Sequence, residues 1–172
     1  GISASLGNIG IVYMEQGDYP KAYDYYFKAL KLGEELGNKN KIAIQLGNIG
    51  IVYMEQGDYP KALDSYFKAL RIDEELGDKN GIAADLGSIG NAYKNQNDYP
   101  KALEYYFKAL KVSEDMENKS HIAAWLGNIG NVYNNQGDYS EALDYYFKAL
   151  KIGEELGDKN RIAIQLGNIG VV

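Results

Sequence analysis

The chain has 172 residues, no cysteine, 45% hydrophobic residues and a formal net charge of −6. The absent cysteines exclude a disulfide framework and thiolate chemistry, and the acidic balance argues against a nucleic-acid surface, which needs clustered Lys and Arg. No apolar run approaches the roughly 20 residues that a membrane-spanning helix requires, so no membrane partner is expected and a cytoplasmic setting is.

The words "LGNIG" at 6, 46, 126 and 166 and "LGSIG" at 86 set a strict 40-residue period. A period of this length is read before anything else, because it signals a stacked array. It divides the chain into repeats 1–45, 46–85, 86–125 and 126–165 and a partial fifth, 166–172. The chain opens at the start of a repeat's first helix and ends inside the equivalent helix of the fifth. That predicts a piece of a longer array, natural or engineered.

Each repeat reads as two helices. In the second, Asn40 is the expected N-cap of the first helix, with Asn80, Ser120 and Asn160 repeating it. Gly57 is its expected left-handed stop. Asp58 then caps a second helix with Pro60 in its first turn, running to Leu76 and stopping at Gly77. Asp64 and Lys68 form an (i, i+4) pair, repeated as Asp24/Lys28, Glu104/Lys108 and Asp144/Lys148. Glu117 replaces the stop glycine of the third repeat, so that helix end is expected to fray or run on.

At about 100° per residue, Ile42, Leu46, Ile49 and Tyr53 form one stripe of the first helix. Ala43, Gly47, Gly50 and Met54 form another. The second helix carries Ala62, Tyr66 and Ala69 on one side and Leu63, Phe67 and Leu70 on the other. So wide an apolar arc implies two packed neighbours. Gly50, Ala62 and Ala69 let helices approach closely. Gly47 lies further round, and either leaves room beside a groove or is a tolerated helix glycine in duplicated sequence.

The run "LGNIGIVYMEQGDYPKALDSYFKAL" resembles a tetratricopeptide repeat through Gly50, Tyr53, the "GDY" turn, Ala62, Tyr66 and Ala69. All four repeats carry the pattern. The proline that ends the standard unit of about 34 residues is absent, and extra residues around "EELGDKN" lengthen the helices. This longer form is similar to the repeats of kinesin light chains, Leu-Gly-Asn (Pins-type) adaptors and bacterial regulatory proteins. The resemblance implies an all-α fold, a right-handed superhelical solenoid of antiparallel helix pairs. It also implies that first helices line a concave groove where a partner's peptide binds.

The helix wheel places Ile44, Asn48, Ile51 and Glu55 on the face opposite the Leu/Ile/Tyr stripe, flanked by Met54. The first repeat offers Asn8, Ile11, Met14 and Glu15 there. The third offers Ser88, Asn91, Lys94 and Asn95, and the fourth Asn128, Asn131, Asn134 and Asn135; the fifth adds Asn168. Asn8, Asn48, Asn128 and Asn168 form a column broken by Ser88. An amide carries donors and an acceptor and can bond a peptide backbone, the work that the matching asparagines do in the resembling adaptors. A solvated polar column copied by duplication is the alternative. Ile11, Met14, Ile51 and Met54 with Glu15 and Glu55 suit a ligand segment that is apolar and basic. Lys94 alone is too little cation for clamping a terminal carboxylate.

Catalysis has little to stand on. His121 is the only histidine, expected at the surface just after Ser120, and no second histidine or cysteine exists to build a metal site or a nucleophile–base pair. Glu74/Glu75, Glu34/Glu35 and Glu154/Glu155 read as solvated helix ends. "GNIG" is neither a dinucleotide fingerprint nor a P-loop. No cofactor is implied. Trp125 stands where Gln45, Asp85 and Gln165 stand elsewhere, either as an interaction spot or packed on the preceding repeat. Two function classes follow: a protein- or peptide-binding adaptor or scaffold, and a structural array that self-associates through the stripe Ile162, Leu166 and Ile169 at its open C-terminal end.

Overall fold

The computed structural model describes residues 2–172. These form nine α-helices and, among the described residues, no strand: α1 (Ile2–Glu15), α2 (Tyr19–Glu35), α3 (Lys39–Glu55), α4 (Tyr59–Leu76), α5 (Lys79–Asn95), α6 (Tyr99–Asp115), α7 (Lys119–Gln136), α8 (Tyr139–Leu156) and α9 (Lys159–Gly170). Two compact units divide at Ala92 and Tyr93, within α5. The first holds α1–α4 and most of α5; the second holds α6–α9. In the first unit α1 pairs with α2 and α3 with α4, and α2 packs on α3; in the second α7 pairs with α8, α6 packs on α7 and α8 on α9.

Turn chemistry explains the helix boundaries. A residue with positive φ ends each of α1–α8, six times glycine, as at Gly57 (φ 74°) and Gly77 (φ 68°). The stop is closed by paired backbone bonds, such as Gly57 N–H to the Met54 carbonyl at 3.0 Å and Asp58 N–H to the Tyr53 carbonyl at 2.9 Å. Asn97 (φ 60°) and Glu117 (φ 52°) take the same conformation without glycine's freedom. The expected fraying or run-on at Glu117 is therefore corrected. Helix α6 stops at Asp115, and Glu117 and Asn118 donate to Glu114 and Ser113, each at 2.9 Å. The fixed length of the repeat imposes the turn on a residue that disfavours it.

The N-caps of the first helices lie two residues earlier than Asn40, Asn80, Ser120 and Asn160. The Asn38, Asp78, Asn118 and Asp158 side chains accept from the backbone N–H of residues 41, 81, 121 and 161 at 3.0–3.1 Å. The cap is the residue directly after the left-handed one, the same rule that places Asp58 after Gly57. Asp18, Asp58 and Asp98 cap the second helices at 3.2–3.3 Å, with proline in the first turn. Each also pairs with Lys21, Lys61 or Lys101 at 2.6–2.9 Å, and that ammonium holds the carboxyl below the usual carboxylate range. Asp138 departs from this: Ser140 replaces proline, Glu141 replaces lysine, and the side-chain cap bond is missing. The (i, i+4) pairs form at Asp24/Lys28, Asp64/Lys68 and Glu104/Lys108 at 2.6–2.7 Å.

Packing follows the two stripes. In the first unit Ala22, Tyr26 and Leu30 of α2 meet Ile49 and Val52 of α3, with Tyr23, Ile42 and Tyr53 around them. In the second unit Ala102, Tyr106 and Leu110 meet Leu126, Ile129 and Val132. Glycines admit the tyrosines. A Cβ on Gly10 or Gly130 would stand 2.7 Å from the Tyr26 or Tyr146 Cδ1 atom, inside van der Waals contact. Glu75 and Glu155 are not merely solvated, since they hold Lys39 and Lys119 at 2.8 Å across their helix pairs. His121 is half-buried rather than a surface residue, and its Nδ1 is buried without a hydrogen-bond partner in the protein.

Candidate functional site

In α1, α3 and α7 a glycine at one position faces the next first helix. A Cβ on Gly7 would stand 3.3 Å from Gln45 Nε2, and one on Gly127 2.9 Å from Gln165 Nε2; for Gly47 the neighbour is Asp85 Oδ1 at 4.0 Å. Gly47 thus faces the seam between α3 and α5. Cavities open along these seams. The one between α1 and α3, about 290 Å³, is lined by Asn8, Ile11, Ile44, Gln45 and Asn48. The one between α3 and α5, about 280 Å³, is lined by Ile44, Asn48, Ile51, Asp73, Asp85 and Ser88. In the second unit a cavity of about 360 Å³ between α7 and α9 has Asn128, Asn131, Arg161, Gln165 and Asn168 on its walls.

The asparagine column therefore meets the seams: Asn8 is exposed, while Asn48, Asn128 and Asn168 are half-buried at cavity walls. Ser88 stands in the same row. Ile11 and Ile51 are each 44% exposed. The other expected site residues differ in burial and contacts. Met14 packs on the core shared by α2 and α3. Glu15, Glu55, Asn95 and Asn135 are exposed, and Met54, Asn91 and Asn134 half-buried. Asn131 is partly committed, accepting from the Tyr146 hydroxyl at 2.8 Å. Lys94 is half-buried, and burial pushes its pKa down. Ile162 packs against Gly153, Ile169 is half-buried and Leu166 is 54% exposed.

One position escaped the sequence reading except through Trp125. Gln45, Asp85 and Gln165 are buried polar residues on the seams, and Gln45 Oε1, Asp85 Oδ2 and Gln165 Oε1 have no hydrogen-bond partner in the protein. Buried groups left so cost about 1–3 kcal/mol each. The signal available was the row itself, polar in three of four repeats at a position between core residues. Burial, then the carboxyl of Asp73, then the charge of Asp78 push Asp85 up to about 8. Asp73 is also raised, chiefly by burial. Trp125 takes the packing alternative: it stacks on Tyr106 of α6 with centroids 6.4 Å apart and donates through Nε1 to Ser113 Oγ at 3.0 Å.

Among the described residues no group of three or more His, Asp or Glu could hold a metal, and no helix is long and apolar enough to cross a membrane. Antiparallel helix pairs, repeated every 40 residues with cavities along their first-helix seams, define a helical-repeat protein-interaction module. The sequence matches the tetratricopeptide repeat pattern over residues 1–75, 41–115 and 123–155. The chain belongs to the tetratricopeptide repeat family.

Solved structures share this fold. BtubC (BKLC) from P. vanneervenii superposes with a TM-score of 0.80 at 21% identity, over 91% of this chain and 65% of that one. The apo form of RapI gives 0.85 at 23% identity, over 95% and 60%. Aspartyl phosphate phosphatase F from Bacillus subtilis gives 0.89 at 16% identity, over 95% and 43%. The chain thus spans less than two thirds of each neighbour, and at these identities the likeness concerns the fold alone. No match was found among curated proteins.

Proposed function

We propose that the chain is a non-catalytic adaptor or scaffold, and that a partner's peptide lies along the first-helix seams with its backbone bonded to the asparagine column. In this reading the whole array acts as one solenoid in the cytoplasm. The observation that carries it is the placement of Asn48, Asn128 and Asn168, half-buried amides on the walls of seam cavities. Amides so placed are shielded from bulk water yet open to a ligand, where a hydrogen bond counts for more. Ile11 and Ile51 supply apolar contact, and Glu15 and Glu55 favour a basic residue beside it. The test is binding of a random peptide library to wild type and to Asn48→Ala/Asn128→Ala. Peptides enriched on wild type should be lost from the double variant while its helicity is unchanged.

A second reading is self-association through α9, favoured by the exposure of Leu166 and Ile164, 54% and 59%. Neighbouring apolar side chains exposed to this degree seek a partner surface. Light scattering over a wide concentration range reads it. A mass that rises with concentration, and falls back in Leu166→Lys, supports it; a constant monomer mass overturns it.

A further inference from the structure

Each junction between a second helix and the next first helix carries the same three-residue constellation in a different version. The four are Gly33/Lys41/Gln45, Asp73/Gly81/Asp85, Ser113/His121/Trp125 and Gly153/Arg161/Gln165. In three the middle residue is Lys, His or Arg. Lys41 lines the cavity between α1 and α3, and Arg161 the one between α7 and α9. The second junction has glycine in that place and two carboxyls beside it.

These carboxyls are deeply placed: Asp73 is 7% and Asp85 8% exposed. Burial raises the pKa of both, and Asp73 beside Asp85 raises Asp85 further. Asp73 occupies the room a side chain at position 81 would take, since a Cβ on Gly81 would stand 2.6 Å from its Cγ. Asp85 Oδ2 has no partner in the protein and belongs to a carboxyl on the wall of the 280 Å³ cavity. Asn48, Ser88 and Asp78 add polar groups to that wall, and Ile44, Ile51 and the Tyr66 ring add apolar surface.

We infer that this cavity receives the guanidinium of an arginine side chain carried by the bound partner, at a junction whose equivalents have Lys41 and Arg161 of the chain itself on their cavity walls. The inference rests on the seam-binding reading and names the chemistry of one partner residue. Arginine suits the site better than lysine. Its planar fork meets two carboxyls at once, and its remaining N–H groups find the Asn48 and Ser88 oxygens. Ile44, Ile51 and Tyr66 cover its methylene stem. When the guanidinium enters, Asp85 ionises, and its proton leaves to solvent. Below the raised pKa of Asp85 that proton must be displaced, so binding strengthens as pH rises toward 8.

The test is NMR of the full chain, following backbone amides and aspartate carboxyl carbons during titration with Nα-acetyl-arginine amide. Nα-acetyl-citrulline amide serves as the neutral isostere. Saturable shifts at Gly81, Asp85 and Ser88, at least tenfold weaker with citrulline and at least threefold weaker at pH 5.5 than at pH 8, are expected. Asp73→Gly/Gly81→Lys/Asp85→Gln copies the Gly33/Lys41/Gln45 junction and should fold, yet lose the shifts. Equal response to citrulline, or undiminished shifts in the triple variant, overturns the inference. Library peptides that need Asn48 and Asn128 but bind the triple variant fully would overturn the pocket and leave the seam. Arginine shifts at Gly81 without any peptide binding would do the reverse.

Discussion

Gly50 lies directly under the ring of Tyr66. A Cβ on the glycine would stand 2.7 Å from the tyrosine Cδ1 and 2.9 Å from Cζ, and Tyr66 itself is buried. The Tyr66 ring of α4 therefore lies against the backbone of α3 at Gly50. The cost of a helix glycine, roughly 0.5–1 kcal/mol against alanine, is offset by the packing of a whole tyrosine ring. Gly50→Leu should overpack this contact and destabilise by about 1–3 kcal/mol. Urea denaturation measures it, and an unchanged midpoint would mean that the ring can move aside.

Glu117→Gly should stabilise the chain. Glu117 holds φ 52° where six other turns use glycine, and the left-handed conformation costs a residue with a Cβ roughly 1–2 kcal/mol. Thermal melts at neutral pH should show the gain. A loss would mean that the Glu117 side chain contributes more than its backbone costs.

The start of α8 is the weakest of the second-helix caps. Ser140→Pro restores the residue found at Pro20, Pro60 and Pro100, in a turn whose backbone matches theirs: Asp138 has φ −85° and Asp58 φ −84°. It should add about 0.4–1 kcal/mol by restricting the unfolded chain. Amide hydrogen exchange at the first turn of α8 checks this: protection should rise there, and faster exchange would contradict it.

Asp85 makes stability depend on pH. Its pKa is raised in the fold to about 8 from an unfolded value near 4. The folded state therefore holds the extra proton, and stability falls as pH rises between those two values. The groups facing it are Asp73, Asp78 and Tyr66, none of which offers a compensating cation. Asp85→Asn should flatten the decline. Denaturation midpoints of the two proteins across pH 4–8 decide the matter: parallel curves would show that Asp85 is ionised without penalty.

The groove substitutions have a magnitude as well as a direction. Each amide removed by Asn48→Ala or Asn128→Ala should cost a bound peptide about 0.5–1.5 kcal/mol. Isothermal titration with a library-selected peptide reads the sum, and undiminished affinity would leave the column as a solvated surface.

The helices were legible because each repeat writes the same apolar words at the same spacing, and a 3.6-residue period leaves little choice. The cap positions were not, because asparagine stands at both 38 and 40 and either can cap. The left-handed residue at 37 decides, through a backbone geometry that the wheel does not contain. Asn48 was legible on the groove face, since a wheel locates any residue around its own helix. The contact of Met14 with the core of α2 and α3 was not legible, because its angle on α1 says nothing of how closely those helices approach. The Asp73–Asp85 pair was out of reach: the two residues belong to different helices, and only the crossing of α4 and α5 brings their carboxyls together.

The junction triplets have an evolutionary consequence. The turns and tyrosine contacts are the same in kind from repeat to repeat, whereas the residues at 33/41/45 and their counterparts are not. Exchange of a 40-residue segment between copies would keep the turns and the glycine–tyrosine contacts in kind while reordering the seams. Such a chain can inherit a new succession of acidic and amide-lined cavities by recombination alone.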